Sequence, residues 1–490
     1  MKSRLLGVLL FIETAAMLLT AALAWYFHLH SGETDYTAFL WSAGITGVAG
    51  LVLFLVGLIH NRGFDSDDTF VIVTLSWILF SLFGMLPFLF SGSITNVTDA
   101  FFETISGFTT TGATILKDVD SQCHGILFWR SVMQWMGGLG IVVFTIAFIP
   151  SVAKGARRSN LFAAEAPGVS VEKLAPTMHG TSRILWFIYI IFTLLCAVFY
   201  ALGPMSVFDA VCHAMTTIST GGYSTHQDSL AYYQSGYIEG VSAVFMIFSS
   251  INFAMFYFLL VGRFDLLLKN EEVRVYLVSL GVMTLYFVLL FHFFPQGEGN
   301  TVHTAFYHVV SMFSNTGFAG RNYNYDLWGL MFVIPTLLMQ IVGGCAGSAS
   351  GGIKMVRAIV IFKFIRNALR ELVHPTGMFS LKVSGQTVDD LTIRRICNFL
   401  SLFILLFVVN ILALTLTGMS LEDASIAFLT CFSNLGVGSG ATGPGASLAD
   451  LSTAAKWILS ADMLIGRLEI MTVLLVFFPS TWVTTKGIRD

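Results

Sequence analysis

Thr109-Thr110-Thr111-Gly112-Ala113-Thr114 closes a short, helical-looking apolar run, and similar stretches recur at Ser219-Thr220-Gly221-Gly222-Tyr223-Ser224, Ser314-Asn315-Thr316-Gly317-Phe318 and Asn434-Leu435-Gly436-Val437. With Gly112, Gly221, Gly317 and Gly436 taken as equivalent, the copies lie 109, 96 and 119 residues apart. That is room enough for each to own a helical hairpin, so one chain could build a pseudo-fourfold ring around a pore.

The surroundings of these stretches are those of a membrane protein. Of 490 residues, 55% are hydrophobic and 11% charged, against about a quarter charged in soluble chains. Mean hydropathy is +0.78. A net charge of −3 carries no message, and nothing supports nucleic-acid binding. Cys123, Cys196, Cys212, Cys345, Cys397 and Cys431 are scattered without CxxC spacing, which argues against disulfides and zinc sites. Lys2 and Arg4 ahead of an apolar run, with Ala22-Leu23-Ala24 behind it, imitate a cleaved signal peptide. The run is long enough to cross ~30 Å of hydrocarbon, and a second follows at once, so it reads as a retained helix.

Ten apolar stretches can span, near 5–27, 37–60, 69–91, 126–150, 182–203, 235–262, 274–296, 326–344, 393–417 and 454–482. Runs too short to cross, near 99–111, 208–220, 304–316 and 423–435, read as re-entrant half-helices, each followed by an extended strand. The expected fold is therefore an all-α polytopic membrane protein. A two-helix unit over 1–64 precedes four pore repeats over 65–155, 156–270, 271–385 and 386–490, each built as helix, half-helix, filter strand, helix. Basic residues place the loops: Lys154, Arg157, Arg158, Arg263, Lys269 and the run from Lys354 to Arg395 mark cytoplasmic segments. The opposite loops hold only Lys117, Arg130, Arg321 and Lys456, so both termini face the cytoplasm and the half-helices enter from outside. Asp99, Asp209, Thr304 and Asp423, 12 or 13 residues before the glycines, read as N-caps. Four helix C-termini then converge at mid-membrane, where their partial negative charge favours a cation.

Backbone carbonyls that replace an ion's water shell need a backbone that glycine permits. The expected filter comprises Thr110, Thr111, Gly112, Ser219, Thr220, Gly221, Asn315, Thr316, Gly317, Asn434, Leu435 and Gly436. Its hydroxyl and amide groups either brace the strands or touch the ion. No carboxylate lies in any strand, which suits a monovalent rather than a divalent cation.

These stretches resemble the filter loops of the Trk/Ktr/HKT superfamily of potassium transporters, most closely the bacterial TrkH-type uptake subunits. Supporting motifs are Arg130-Ser131 with Gln134-Trp135-Met136-Gly137-Gly138-Leu139-Gly140, Asn252-Phe253 ahead of Asn270-Glu271-Glu272, the segment Gly343 to Lys354, and Gly466-Arg467-Leu468-Glu469. The resemblance covers essentially the whole chain. It implies potassium (K+) as the transported ion, contacted by Thr110, Thr111, Ser219, Thr220, Asn315, Thr316, Asn434 and Leu435, with no covalently bound cofactor. It further implies a bacterial inner-membrane location, a homodimer, and cytoplasmic nucleotide-binding RCK-type (TrkA-like) regulatory subunits. Leu435 departs from the Thr-Gly pattern of the first three strands.

Gly343, Gly344, Cys345, Ala346, Gly347, Ser348, Ala349, Ser350, Gly351 and Gly352 interrupt what should be a spanning helix. A phosphate-binding loop would need Gly before Lys354 and Ser or Thr after it, but Ile353 and Met355 stand there. A small-residue packing site is the other reading, and the resemblance implies an intramembrane gate. Arg467 falls within the last span, where an unpaired cation costs about 2.5–3.5 kcal/mol, so it needs a partner or water. It reads as part of the gate, holding the loop through carbonyls, or else as half of a structural salt bridge. Glu13 reads as paired within a helix contact, and Glu103, His213 and His308 as braces behind the filter. No HExxH motif or serine-histidine-aspartate pattern supports an enzyme. The competing transport reading is a proton- or sodium-coupled symporter with Glu103 or Asp209 as relay.

Overall fold

The computed structural model describes residues 2–59, 68–140, 178–294, 301–321, 330–377, 379–438, 443 and 447–477. A two-helix hairpin, α1 (Lys2–Ser31) and α2 (Tyr36–Ile59), leads the chain. Small residues let its backbones touch: a Cβ on Gly57 would fall 2.7 Å from the Arg4 Cα. The first pore unit follows as α3 (Asp68–Gly84), α4 (Leu86–Ser91), the half-helix α5 (Val97–Phe108) and α6 (His124–Gly138). The second has α7 (Met178–Ala201), the half-helix α8 (Val207–Ile218), α9 (Gly236–Ser249), α10 (Phe253–Leu260) and α11 (Phe264–Lys269). The third has α12 (Glu271–Phe293), the half-helix α13 (Thr301–Phe313), α14 (Leu330–Val342) and α15 (Met355–Val373), followed by a hairpin of β1 (Lys382–Val383) and β2 (Gln386–Thr387). The fourth has α16 (Asp390–Leu416), the half-helix α17 (Leu421–Phe432), α18 (Thr453–Leu468) and α19 (Ile470–Val476).

The protein is an all-α polytopic membrane protein. Among the described residues six helices are long and apolar enough to cross a membrane, or seven if a bent pair counts as one. The ten expected stretches depart from straight spans for local reasons. The sixth bends by 95° between α9 and α10, where Asn252 caps α10 through its side chain. The eighth stops at Val342, and the tenth breaks at Glu469, whose φ is +67°. The fourth is described only to Gly140, and residues 478–482 of the tenth and 326–329 of the eighth also lie outside the described residues.

Two apolar cores flank the centre. One draws on α1, α3, α5, α6 and α16 to α19, the other on α7 to α10 and α12 to α15. The strands that leave the half-helices lie between them.

The half-helix starts correct the expected caps. Asn96, Ser206 and Ser420 are the N-caps, three residues upstream of the aspartates. Ser206 Oγ accepts from the Asp209 amide at 3.1 Å and donates to its carboxylate at 2.7 Å, and Ser420 repeats this with Asp423 at the same distances. A serine at the cap and an acid three residues on share the orphan groups of the first turn. Asp99 instead holds Lys456 at 2.7 Å, and Thr304 lies inside α13. Ser206→Ala or Ser420→Ala should each destabilise the protein by about 1 kcal/mol, read as a lower apparent unfolding temperature in detergent with the same substitution at Ser425 as control.

Candidate ion pathway

All four half-helices end in the same turn. Thr109, Ser219 and Ser433 are C-caps, and Ser314 follows the end of α13. The next residue takes a left-handed backbone: φ is +56° at Thr110, +54° at Thr220, +57° at Asn315 and +51° at Asn434. The amide after that returns to the helix: Thr111 to Ser106 O at 2.9 Å, Gly221 to Thr216 O at 2.9 Å, Thr316 to Ser311 O at 3.2 Å and Leu435 to Thr430 O at 2.9 Å. Left-handed geometry is rare for any residue but glycine, and rarer for β-branched threonine. Four instances in register mark a backbone held by its surroundings.

This turn corrects the register of the second repeat. Aligned on it, the equivalent glycines are Gly112, Gly222, Gly317 and Gly436, so Ser219-Thr220-Gly221 of the sequence reading shifts by one to Thr220-Gly221-Gly222. Gly222 has φ +78°, like +85° at Gly112 and +79° at Gly317. The same four glycines line one small cavity of about 60 Å³.

The glycines also show how the strands close. A Cβ on Gly112 would overlap the carbonyl oxygen of Gly221, and one on Gly222 that of Thr316. Gly317 faces the side chains of Leu435 at 3.5 Å and Val437 at 3.6 Å, and a Cβ on Gly436 would overlap the backbone of Gly112 and Ala113. Each strand thus borders the next and the fourth borders the first. Glycine is required here because strand backbones touch, a reason separate from the width of the bore.

Most side chains of the strands serve as braces. Asn434 Nδ2 donates to Thr111 Oγ1 at 3.1 Å and to Met463 O at 2.9 Å; Asn315 Nδ2 donates to Ser433 O at 2.9 Å and Gln340 O at 3.0 Å. Hydroxyl pairs Thr109–Thr111 and Ser314–Thr316 both lie at 2.8 Å. Gln134 Nε2 donates to Gly221 O at 2.7 Å while its Oε1 accepts from the Tyr223 amide at 3.1 Å. Among the described residues no hydrogen bond takes the carbonyls of Thr110, Thr220, Asn315 and Asn434, nor those of the four glycines. Two layers of four equivalent carbonyls therefore remain for a ligand.

Charges around the mouth are neutralised in pairs. The four cations that the sequence places on this side all have carboxylate partners: Lys117–Asp450 at 2.7 Å, Arg130–Glu103 at 2.8 Å, Arg321–Glu239 at 3.2 Å and Lys456–Asp99 at 2.7 Å. Arg130 is not a loop residue but a buried one on α6. Its guanidinium lies 4.0 Å over the Tyr223 ring and donates to Ser224 O at 3.2 Å. Glu103 also accepts from the Ile115 amide at 2.7 Å and the Thr114 hydroxyl at 3.1 Å, so both its oxygens are engaged. Tyr223 Oη donates to the Glu103 carbonyl at 3.0 Å and to the Ala113 carbonyl at 3.2 Å, which ties the second strand to the first half-helix and its strand. His213 holds Ser224 Oγ and His308 holds Thr336 Oγ1, each at 2.9 Å, as braces do. Burial pulls the His226 imidazolium down in pKa, but Asp209 and Asp120 outweigh it and hold the group above its ordinary value. Two carboxylates around one imidazole leave this rim net negative in either protonation state of His226. Glu13 departs from expectation: its carboxylate is fully buried against Gly84, with no hydrogen-bond partner among the described residues.

Beneath strands three and four lies the segment 343–352, which has no helical residue. Its two ends meet, with the Ile353 amide on Ile341 O at 2.8 Å and that of Lys354 on Val342 O at 2.9 Å. The segment is tied on every side. Cys345 N donates to Ser250 O at 2.8 Å, Ala349 N to Ser249 O at 3.2 Å and Gly352 N to Ser433 O at 3.1 Å. Glu272 Oε1 accepts from Ala346 N at 2.7 Å and Val356 N at 3.1 Å, holding both flanks with one oxygen. Asn252 packs on Gly347, where a Cβ would fall 2.8 Å from its amide nitrogen. The carbonyls at the α9–α10 bend are thus the ones the segment uses.

Arg467 reaches the segment from the other side. It donates to Ala349 O at 3.0 Å and to Gly137 O and Gly138 O, at the C-terminus of α6, at 2.6 and 2.7 Å. Gly466 lets α18 approach, since a Cβ there would overlap Phe432 O, as one on Gly137 would overlap Phe108 O. Glu469 pairs with Arg357.

A family model described as a cation transport protein, TrkH, matches residues 48–484. The Trk system potassium uptake protein TrkH of Salmonella typhimurium strain LT2 is 34% identical over 485 residues, covering 98% of both chains. TrkI of Halomonas elongata is 35% identical over 456 residues, covering 92% of this chain and 91% of its own. The crystal structure of the potassium transporter TrkH from Vibrio parahaemolyticus is similar with a TM-score of 0.86 at 31% identity, covering 98% of this chain and 99% of that one.

The chain belongs to the TrkH family of cation transport proteins.

Within this TrkH-family chain several residues of the pathway were absent from the sequence reading of the site. Gly222 is one; a common hydroxyl residue three places before each glycine, Thr109, Ser219, Ser314 and Ser433, would have found it. Gln134, Asn252 and Glu272 sit in motifs the sequence singled out, but their roles depend on contacts across 74 residues or more. Gly222→Ala and Gly112→Ala should each cut ion flux by more than about tenfold, the left-handed backbone alone costing about 1–2 kcal/mol. Gly317→Ala, which meets only side chains, retains the most flux of the four. Equal losses at all four would contradict that ranking. Arg130→Gln strands a buried carboxylate and should cost about 3–5 kcal/mol of stability. The double variant with Glu103→Gln should recover part of it, as thermal unfolding in detergent would show.

Proposed function

We propose that this protein takes up potassium ions through the ring of four strands, as a channel-like pore gated by the segment 343–352 with Arg467. The observation that carries this is the fourfold turn, which leaves two layers of equivalent, unspent carbonyls on strands that close on one another. Such carbonyls can replace an ion's hydration shell. The names of the relatives, potassium uptake proteins of the Trk system, agree with that cargo. Potassium is the cargo, no covalently bound cofactor takes part, and the protein acts as a transporter and not as an enzyme.

In this reading the ion sheds water at the negative rim, passes the carbonyl layers, and meets the segment below. Inward movement gains about 2.3 kcal/mol per 100 mV of inside-negative potential. Symport through Glu103 or Asp209 is the lesser reading, because Glu103 spends both oxygens on Arg130, Thr114 and Ile115. Asp209 likewise accepts from Ser206, the cap of its own helix, and from Thr225, one on each oxygen. The protein would sit in the bacterial inner membrane with both termini in the cytoplasm, as a homodimer of four-repeat chains. Nucleotide-binding RCK-type subunits would dock on the basic side that carries Arg263, Lys269 and Arg370.

Purified protein in liposomes, held at fixed voltage without proton or sodium gradients, should pass K+ and Rb+ over Na+. Flux that needs a proton or sodium gradient would instead establish symport. Arg467→Ala removes three charged hydrogen bonds, each worth about 1.5–3 kcal/mol, and should raise that flux by about tenfold or more. Unchanged flux with lost stability would leave Arg467 a purely structural role.

A further inference from the structure

Because α14 ends at Val342 and the chain turns into the segment 343–352, the lower half of the eighth span is missing. A groove of about 580 Å³ occupies the space beside it. One wall is a single face of α12, Glu271, Val275, Ser279 and Met283 at every fourth position, about 18 Å of helix and so roughly one leaflet deep. The other wall is α15, through Ile359 and Phe362, and the last turn of α14 closes the top with Leu338 and Val342. The lining is almost wholly apolar except at the end near Glu271. There Lys363 pairs with Glu271, while Arg366 on α15 and Arg274, one turn along α12, are exposed.

We propose that this groove binds one anionic phospholipid, with an acyl chain along α12 in place of the missing half-span and its phosphate at Arg366 and Arg274. Two observations select that occupant. Three cations against one carboxylate ring the open end, a complement to a phosphate and not to a neutral headgroup. The outer face of α15 exposes Phe362, Ile365, Leu369 and Leu372 alongside Arg366 and Arg370, the pattern of a helix lying at the headgroup boundary. The lipid would therefore touch Met355 and Val342, the residues that flank the intramembrane segment. This site is independent of the filter reading, and its test measures bound lipid rather than flux.

Native mass spectrometry of the detergent-purified full chain, reconstituted first with phosphatidylglycerol and then with phosphatidylethanolamine, reads the site directly. The wild type should retain one phosphatidylglycerol in preference to phosphatidylethanolamine. Each basic residue near an anionic lipid contributes about 1 kcal/mol, so Arg366→Gln should weaken retention about fivefold and the double variant with Arg274→Gln about thirtyfold. Ser279→Trp, which fills the groove without touching a charge, should abolish retention, and both sets of variants should keep the wild-type unfolding temperature. Retention unchanged in all three variants would overturn the proposal, as would a wild type that keeps no lipid. Cysteines at Ser279 and Phe362 that cross-link efficiently between two copies would also overturn it, by showing a second chain in the groove.

Discussion

Backbone meets backbone around the closed ring of four strands, and the rest of the architecture serves that contact. A β-carbon at Gly112, Gly222 or Gly436 would overlap the neighbouring strand. The half-helices must therefore deliver their C-termini to one point with the same left-handed turn at Thr110, Thr220, Asn315 and Asn434. Side chains that a sequence reading would offer to an ion are consumed in holding this geometry, Asn315 and Asn434 between strands, Thr111 and Thr316 against their own helix ends. What faces a ligand is peptide carbonyl, a chemistry indifferent to side-chain identity. This explains how Leu435, like Gly221, can stand where the first and third repeats have threonine without disturbing the turn.

Electrostatics follow the same economy. Carbonyl oxygens and helix C-termini supply partial negative charge, while the cations on the mouth side are each cancelled by a carboxylate. Below the ring, the guanidinium of Arg467 donates to the carbonyls of Ala349, Gly137 and Gly138. A guanidinium held this way joins the intramembrane segment to the end of α6. Glu272 fixes the opposite flank of the segment, and Glu271 beside it ties the same helix end to Lys363 and to the β-hairpin at Ser384. The basic side and the segment under the ring thus share two adjacent residues.

Much of this was legible in the sequence because membrane folding writes itself in hydropathy and in glycine. The half-helices, the interrupted eighth span and the family resemblance all came from runs of residues read locally. What escaped were features decided by contact. The doublet Gly221-Gly222 permits two registers, and only the turn at Thr220 chooses between them. Asp209 and Asp423 look like caps, but Ser206 and Ser420 three residues upstream hold the orphan amide first. Arg130 counts as a loop cation by spacing, yet Glu103 and Tyr223 bury it. The bend at Ser250 to Asn252 has no proline or glycine to announce it, because its reason lies almost a hundred residues away in the segment that borrows its carbonyls. Glu13, expected to find a partner, lies against Gly84 without a hydrogen-bond partner among the described residues.

The central claim is that ions lose their water to carbonyls of four equivalent turns. Anomalous X-ray scattering from crystals soaked in Rb+ or Tl+ locates such ions directly. The account predicts density on the axis of the ring, bounded by the carbonyls of Thr110, Thr220, Asn315 and Asn434 and of Gly112, Gly222, Gly317 and Gly436, and lost when Na+ replaces the soak. Density confined to carboxylates such as Asp209 or Glu103, with none between the strands, would contradict it.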